Sequence, residues 1–340
     1  MFKGAKVAVI GSGAWGTALA KVLAAKHDRV VIWSRNGLVA AQINEAHENV
    51  RYLPGAALPH NLSASTDLAA TLSGASMVVF VAPSHATREV ARMAAPLLPH
   101  GATIVSATKG IENGTLMFMD EVLREELPAW THEKLAFLSG PSFAKELSAE
   151  HPTAVVIASA DAATRELVMR AFHVPYMRTY ASADVVGVEC GGAMKNVIAI
   201  AAGAIDGLGL GHNSRAMLIT RGLAEVARLS LARGGQPLTL SGLAGMGDLV
   251  LTCTGELSRN RTVGVELGRG RKLAEVLAGL GHVAEGVKTA RSAFDLSRKL
   301  GVHMPITREV FAVLYEDKSA RDALNDLMAL ELVPEFDFAT

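Results

Sequence analysis

Apolar residues in the first half of the chain cluster in short continuous runs that alternate with helical periodicity. The runs "KVAVIG", "RVVIWSR", "MVVFVAP", "ATIVSATKG", "KLAFLSGP", "TAVVIAS" and "YMRTYAS" are strand-length and rich in β-branched residues. Between them, "AWGTALAKVLAAK", "ATREVARMAAPLL", "LMFMDEVLREEL" and residues 162–172 carry helical spacing. Strands alternating with helices predict a mostly parallel sheet covered on both faces.

After about residue 183 the strand signal stops. Helical patterns occupy 185–206, 214–233, 270–280, 286–300, 307–317 and 319–330. Ser214, Thr307 and Ser319 stand where N-caps belong, and Ser319 has Asp322 three residues on. The 340 residues exceed one ordinary core, so two domains are expected, 1–183 and an all-helical 184–340. No repeat, low-complexity segment or flexible linker separates them.

Composition narrows the class. Lys plus Arg equals Asp plus Glu at 33 each, so no basic excess points to nucleic acid. Cys190 and Cys253 lack CxxC spacing and sit among apolar residues, which suggests a reducing compartment. The eleven histidines are scattered without H-E-x-x-H spacing, so no metal site is expected. Lys3 and Lys6 before "VAVIGSGAWGTALA" resemble a signal peptide, but the glycines argue against an apolar helical core. The longest uncharged run, Leu68–Thr87, holds only a strand-sized apolar heart, far short of the ~20 residues of a membrane span. A soluble cytoplasmic protein without a membrane span is expected.

Gly11, Gly13 and Gly16 form a G-x-G-x-x-G that ends the first strand and opens the first helix. In that context the glycines serve a tight turn, close approach to a pyrophosphate and helix-on-strand packing. The fold class follows: α/β, a Rossmann-type doubly wound, mostly parallel sheet with a dinucleotide at the glycine turn. The second strand ends in "IWSRN", with no acid before Glu45 to take the ribose hydroxyls of NAD. Arg35 suits a 2′-phosphate instead, which favours NADP over NAD.

Lys195 poses a different problem. It lies inside the apolar stretch "GVECGGAMKNVIAIAAGAIDG". Its helical neighbours three and four residues away are Gly191, Gly192, Ile198 and Ala199, none of them acidic. A counter-charge must come from distant sequence or from a ligand, unless the stem is buried and the head reaches water. The small stripe Gly191, Ala199 and Gly203 predicts close approach of another body, such as the cofactor or the sheet.

Further clusters are "SATKG" at 106–110, "SGPSFAKE" at 139–146, "GGAMKNVIAI" around Lys195, "LAGMGDLVLTCTGELSRNR" at 243–261 and "VAEG" at 283–286. In order with the glycine fingerprint, these resemble NAD(P)-dependent glycerol-3-phosphate dehydrogenases of the bacterial type over nearly the whole chain. The resemblance implies reversible hydride transfer between NAD(P)H and dihydroxyacetone phosphate, supplying glycerol phosphate for phospholipid synthesis. It implies a homodimer whose partner is a phosphorylated small molecule. Lys195 becomes the catalytic proton donor. Lys109, Gly140, Ser142, Asp248, Ser258, Arg259 and Asn260 fall at the substrate. Gly11, Gly13, Ala14, Trp15, Gly16, Arg35, Lys109, Ala144, Arg259, Val283 and Glu285 fall along the cofactor.

The chemistry suits these residue types. Hydride addition builds charge on the ketone oxygen, where a cation that can release a proton lowers the barrier. A phosphate dianion suits a guanidinium beside helix N-terminal amides, as at Ser258–Asn260. Asp248 is expected to balance Lys195 or bind a hydroxyl; a helix N-cap is the plainer reading and is compatible with either, and Thr252 is a further candidate of the same kind. Ser142 is expected to cap the following helix. Glu285 either accepts from the nicotinamide amide or simply sits in a helix first turn. Arg261 is a weaker phosphate candidate, expected rather to be structural, and His85 and His212 are expected to be turn and cap residues. Two rival readings stand: another hydroxyacid dehydrogenase of this superfamily, and a non-catalytic dinucleotide-binding redox sensor.

Overall fold

Each of the seven strand-like runs forms a strand, and an eighth joins them. In the computed structural model, which describes residues 4–280, 284–332 and 334–335, the strands are β1 (Lys6–Ile10), β2 (Arg29–Trp33), β3 (Leu62–Ser65), β4 (Ala75–Phe80), β5 (Thr103–Ser106), β6 (Leu135–Ser139), β7 (Thr153–Ala158) and β8 (Met177–Ser182). They form one sheet in the order β3-β2-β1-β4-β5-β6-β7-β8. All neighbours run parallel except β6 and β7. The order reverses between β1 and β4, the switch point where ligands of open α/β sheets bind. β3, "LSAS", is small and polar and becomes a strand only by pairing with β2. No pattern in its own four residues announces it.

The chain divides into two units: Met1–Thr108 with Met119–Val185, and Lys109–Phe118 with Val186–Thr340. The segment Lys109–Phe118 therefore groups with the helices, not with the strand it follows. Ile111 and Phe118 are buried in the second core, and the Ile111 carbonyl accepts from Ser292 Oγ at 3.0 Å. The first core packs Val7, Val9, Ile32 and Val79 of the central strands against Leu19 and Leu23 of the Ala14–Ala24 helix.

The second core is built around the Val185–Gly207 helix. Its length and apolar composition would suit a membrane, yet most of it is buried within its own unit. It packs against the Arg259–Gly268 helix through glycines on both sides. A Cβ on Gly203 would stand 2.0 Å from the Arg261 carbonyl oxygen, and one on Gly264 would stand 1.9 Å from that of Ile200. Gly207 and Gly268 repeat the arrangement one turn on, at 2.2 Å from Val265 O and 2.4 Å from Ala204 O. Gly191 sits against a π-helical turn, Leu243–Gly247, where a Cβ would be 2.4 Å from Ala244 O. The small stripe thus receives backbone of its own unit, which replaces the expected cofactor or sheet as its explanation.

Some helix starts differ from the cap reading. Ser319 caps as expected, accepting from Asp322 N at 3.0 Å. The helix containing Ser214 begins at His212, and the one containing Thr307 begins at Pro305. There the cap is the buried Glu225, which accepts from Ile306 N at 2.5 Å, Thr307 N at 3.0 Å and Thr307 Oγ1 at 2.9 Å. Burial pushes this carboxyl up to about 7 against the pull of those donors. His85 lies inside the Ser84–Ala94 helix, not in a turn.

Gly203→Ala should destabilise the protein by about 1–3 kcal/mol, because backbone must move to admit one methyl group. Gly37→Ala, at a helix start with nothing within 4 Å of its Cβ position, is the control. Urea unfolding checks the pair: a midpoint for Gly203→Ala as high as the control's would contradict the close-packing account.

Candidate active site

The glycine turn lies between β1 and the Ala14–Ala24 helix. Gly11 has φ +127°, and a Cβ there would stand 2.7 Å from Val81 O. A Cβ on Gly16 would stand 2.0 Å from Gly11 O, so this turn admits no side chain at either place. Around Gly13 the situation is opposite, with nothing within 4 Å of its Cβ position. Gly13 is the N-cap and supplies no side-chain hydrogen bond, so the first-turn amides of Ala14 and Trp15 remain available to an anion. Trp15 Nε1 is buried without a hydrogen-bond partner among the described residues. Open room, available amides and an orphaned donor fit a dinucleotide pyrophosphate in this place. At the end of β2, Arg35 is exposed and makes no ion pair or hydrogen bond among the described residues.

Asp248 answers the question of the lysine's counter-charge. Lys195 Nζ donates to Asp248 Oδ1, and Lys109 Nζ donates to Oδ2 at 2.7 Å. The Asp248 side chain is 1% exposed, those of Lys195 and Lys109 12% and 16%. Asp248 opens the Asp248–Thr254 helix directly after the π-helical turn. Gly191, one helical turn before Lys195, is where that turn's backbone seats. The close approach therefore draws Asp248 to the ammonium. The carboxylate spends its oxygens on the lysines rather than on capping its helix. Thr252 Oγ1 donates to the Asp248 carbonyl at 2.6 Å, holding the acid's own backbone.

Two ammoniums share one carboxylate, so the group carries a net positive charge when both lysines are protonated. Burial lowers the Lys195 pKa to about 8; Asp248 opposes this and Lys109 reinforces it. For Asp248, burial works upward, but the two lysines outweigh it and hold the carboxyl below its usual range. The result is an ionised acid beside an amine able to change charge near neutral pH.

The four residues of the "SRNR" cluster are placed in four different ways. Ser258 caps the Arg259–Gly268 helix by accepting from Arg261 N at 3.2 Å. Arg261 is structural as expected, with Nε 2.9 Å and Nη2 2.7 Å from Asp206 Oδ2, while Arg215 Nη1 takes Oδ1 at 2.9 Å. Arg215 Nη2 also lies 2.8 Å from His212 Nδ1. Arg259 is exposed, without an ion pair or hydrogen bond among the described residues. Asn260 is buried; its Nδ2 donates to Asn196 Oδ1 at 2.9 Å and its Oδ1 accepts from Gly286 N at 2.9 Å. It thereby ties the residue after Lys195 to the Glu285–Leu300 helix, which Glu285 opens. The sequence reading passed over Asn196, whose signal was a lone amide in an apolar helix beside the lysine.

Gly140, Ser142 and Ala144 follow β6 in the first unit. Ser142 does not cap the Ala144–Ser148 helix. Phe143 holds the cap position without a side-chain bond, and Ser142 Oγ donates to Gly140 O at 2.8 Å. Gly140 has φ +133°, which bends the chain away from the strand. Val283 lies outside the described residues.

A glycine turn at the carboxyl edge of a doubly wound sheet, with a buried lysine–aspartate centre on a helical unit, defines the class of dinucleotide-dependent dehydrogenases. Residues 6–165 match the family model for the N-terminus of NAD-dependent glycerol-3-phosphate dehydrogenase, and residues 184–325 match the model for its C-terminus. The chain belongs to the glycerol-3-phosphate dehydrogenase family. It is 56% identical over 320 residues to glycerol-3-phosphate dehydrogenase [NAD(P)+] of Myxococcus xanthus, covering 94% of this chain and 96% of that one. To its counterpart in Geobacter metallireducens it is 54% identical, covering 96% and 97%. The crystal structure of glycerol-3-phosphate dehydrogenase from Coxiella burnetii superposes with TM-score 0.91 at 40% identity, covering 96% of this chain and 99% of that one. D-mandelate dehydrogenase, at 12% identity and TM-score 0.60, shares the fold alone.

Lys195 should titrate with a midpoint near pH 8, and Asp248→Asn should move that midpoint lower, because the raising charge is gone and Lys109 remains. Acetylation of Lys195 as a function of pH, read by peptide mass spectrometry, measures both. A midpoint at the ordinary lysine value in the wild type would contradict the buried-amine account.

Proposed function

We propose that the protein reversibly reduces dihydroxyacetone phosphate to sn-glycerol 3-phosphate with NAD(P)H, and that Lys195 is its general acid and base. The observation that carries this reading is the Lys195 amine, buried on Asp248 and lowered to about 8, in a chain of this family. The amides of Ala14 and Trp15, with Gly11, Gly13 and Gly16, take the dinucleotide, and Ala144 and Glu285 complete its contacts. Bound there, the reduced nicotinamide supplies the hydride. Lys195 gives its proton to the ketone oxygen as charge develops on it. Lys109 stays protonated as that proton leaves, so Asp248 remains balanced and the site acquires no net negative charge. Lys109 orients the substrate together with Gly140 and Ser142. Arg259 and the helix start at Ser258–Asn260 hold the phosphate, a role supported by the unengaged guanidinium. Arg35 selects NADP through the 2′-phosphate, supported by its exposure and by the missing acid at the end of β2.

The reading includes a cytoplasmic location, supported by two buried cysteines that form no disulfide. It includes a homodimer and a supply of glycerol phosphate to phospholipid synthesis, both carried by the family resemblance. A hydroxyacid substrate would leave the phosphate set at Ser258–Asn260 without purpose. A non-catalytic sensor would leave the buried amine without one.

Dihydroxyacetone phosphate should accelerate NADPH oxidation, followed at 340 nm, and Lys195→Ala should slow turnover by about 10²–10⁴-fold. Reduction needs Lys195 protonated, so its kcat should fall as pH rises through about 8; glycerol 3-phosphate oxidation needs it neutral and should rise through the same point. Profiles that move together in both directions would remove Lys195 from the proton step. Arg259→Ala should raise KM for dihydroxyacetone phosphate at least about tenfold, the size of a lost charge-assisted contact. An unchanged KM would reject it as the phosphate anchor.

A further inference from the structure

The buried Asn49 has no part in the chemistry above, yet its amide nitrogen is committed to the glycine turn. It is 0% exposed, in the loop after the Gly37–Ala46 helix. Nδ2 donates to Ser12 O at 2.8 Å and to Thr17 Oγ1 at 2.8 Å. Oδ1 accepts from Tyr52 N at 3.3 Å, and the Asn49 carbonyl accepts from Leu53 N at 2.8 Å. The loop is closed at its base by Leu58 N donating to His47 O at 2.8 Å. One side chain thus reaches from a folded loop to both flanks of the fingerprint: Ser12 between Gly11 and Gly13, and Thr17 just beyond Gly16.

We propose that Asn49 is a positioning residue for the dinucleotide, fixing the Ser12–Gly13 peptide so that the Gly13 N–H is presented to the pyrophosphate. The proposal rests on the reading of the glycine turn as the cofactor site. The Ser12–Gly13 peptide is trans, so its C=O and N–H point in opposite directions. With the carbonyl drawn inward to Asn49, the amide faces away from Asn49. Gly13 N has no hydrogen-bond partner among the described residues, and the space at its Cβ position is open. The glycine at 13, with open space at its Cβ position, makes rotation of this peptide sterically cheap. Without a pin, the turn also populates the flipped state, in which a carbonyl oxygen faces the phosphates and repels them. The other donor to Ser12 O, Thr17 Oγ1, stands at 3.4 Å and is a weak substitute. A buried asparagine is costly unless its groups are paired, and here one of the bonds that pair it goes to a carbonyl whose direction matters.

Isothermal titration of NADPH and of NADH onto Asn49→Ala tests this without turnover. Both dinucleotides should bind at least about tenfold more weakly, roughly 1.4 kcal/mol, because they share the pyrophosphate. kcat at saturating cofactor and KM for dihydroxyacetone phosphate should stay within about threefold, a split expected of a binding effect alone. Asn49→Asp, which retains the acceptor for Tyr52 N but turns an oxygen toward Ser12 O, should show the same loss and serves if the alanine variant does not fold. Thr17→Val removes a partner of Asn49 yet leaves the Ser12 bond, so its affinity should remain within about twofold of wild type while its melting temperature falls. If neither Asn49 variant folds, the wild-type Gly13 amide proton must shift in NMR spectra when NADPH is added. Unchanged affinity in a folded Asn49 variant, weakening of NADPH alone, or an unmoved Gly13 amide would each overturn the proposal. Wild-type protein that binds both dinucleotides but leaves dihydroxyacetone phosphate unreduced would sink the functional reading alone.

Discussion

Asp248 sits between two ammonium groups in a place where water does not reach it, and the helical unit is organised around keeping it there. A carboxylate removed from water is expensive unless it is matched at both oxygens. Here Lys195 takes one and Lys109 the other. Because two positive charges meet one negative charge, neither lysine is fully neutralised. Lys195 bears the consequence: burial and the second ammonium outweigh its attraction to Asp248, and its pKa falls to about 8. An amine in that condition can serve as an acid in one direction and a base in the other. Ordinary surface lysine, fully hydrated, cannot.

Geometry on the scale of single methyl groups sustains this arrangement. Gly191 admits the backbone of the Leu243–Gly247 turn, and Gly203, Gly207, Gly264 and Gly268 admit two helices to carbonyl contact. The first approach sets the reach from Lys195 to Asp248. The second sets the start of the Arg259–Gly268 helix against the lysine's helix, where Asn260 meets Asn196. Glycine is a weak helix former, so five glycines spread over two helices and their ends would be unfavourable in isolation. The close packing offsets that cost, and it leaves Arg259 exposed while Arg261 is tied to Asp206.

The sheet unit solves a simpler problem. Its strands present their carboxyl ends at the reversal between β1 and β4, and the glycine turn places backbone amides there instead of side chains. Backbone cannot be substituted, so recognition of phosphates depends on which way each peptide faces. The hydrogen bonds around Ser12 bear on that orientation. At the end of β2, in contrast, stands a solvent-exposed arginine side chain, Arg35.

Much of this was legible in order along the chain. Seven strands, the helix at 162–172, the glycine turn and the missing local partner of Lys195 are all consequences of local pattern, where period, turn geometry and burial act within a few residues. Motif order also sufficed to indicate the family. What local pattern could not reveal depended on residues far apart. β3 is a strand because β2 is beside it. Ser142 donates to Gly140 rather than capping a helix, and the small stripe meets its own unit's backbone rather than a cofactor. Lys109 groups with the helices although it trails a strand. The sequence by itself determined that Lys195 would need an anion from elsewhere. Only the tertiary structure decided that the anion is Asp248, shared with a second lysine, because pairing across 53 and 139 residues is settled by packing and desolvation and leaves no trace in periodicity.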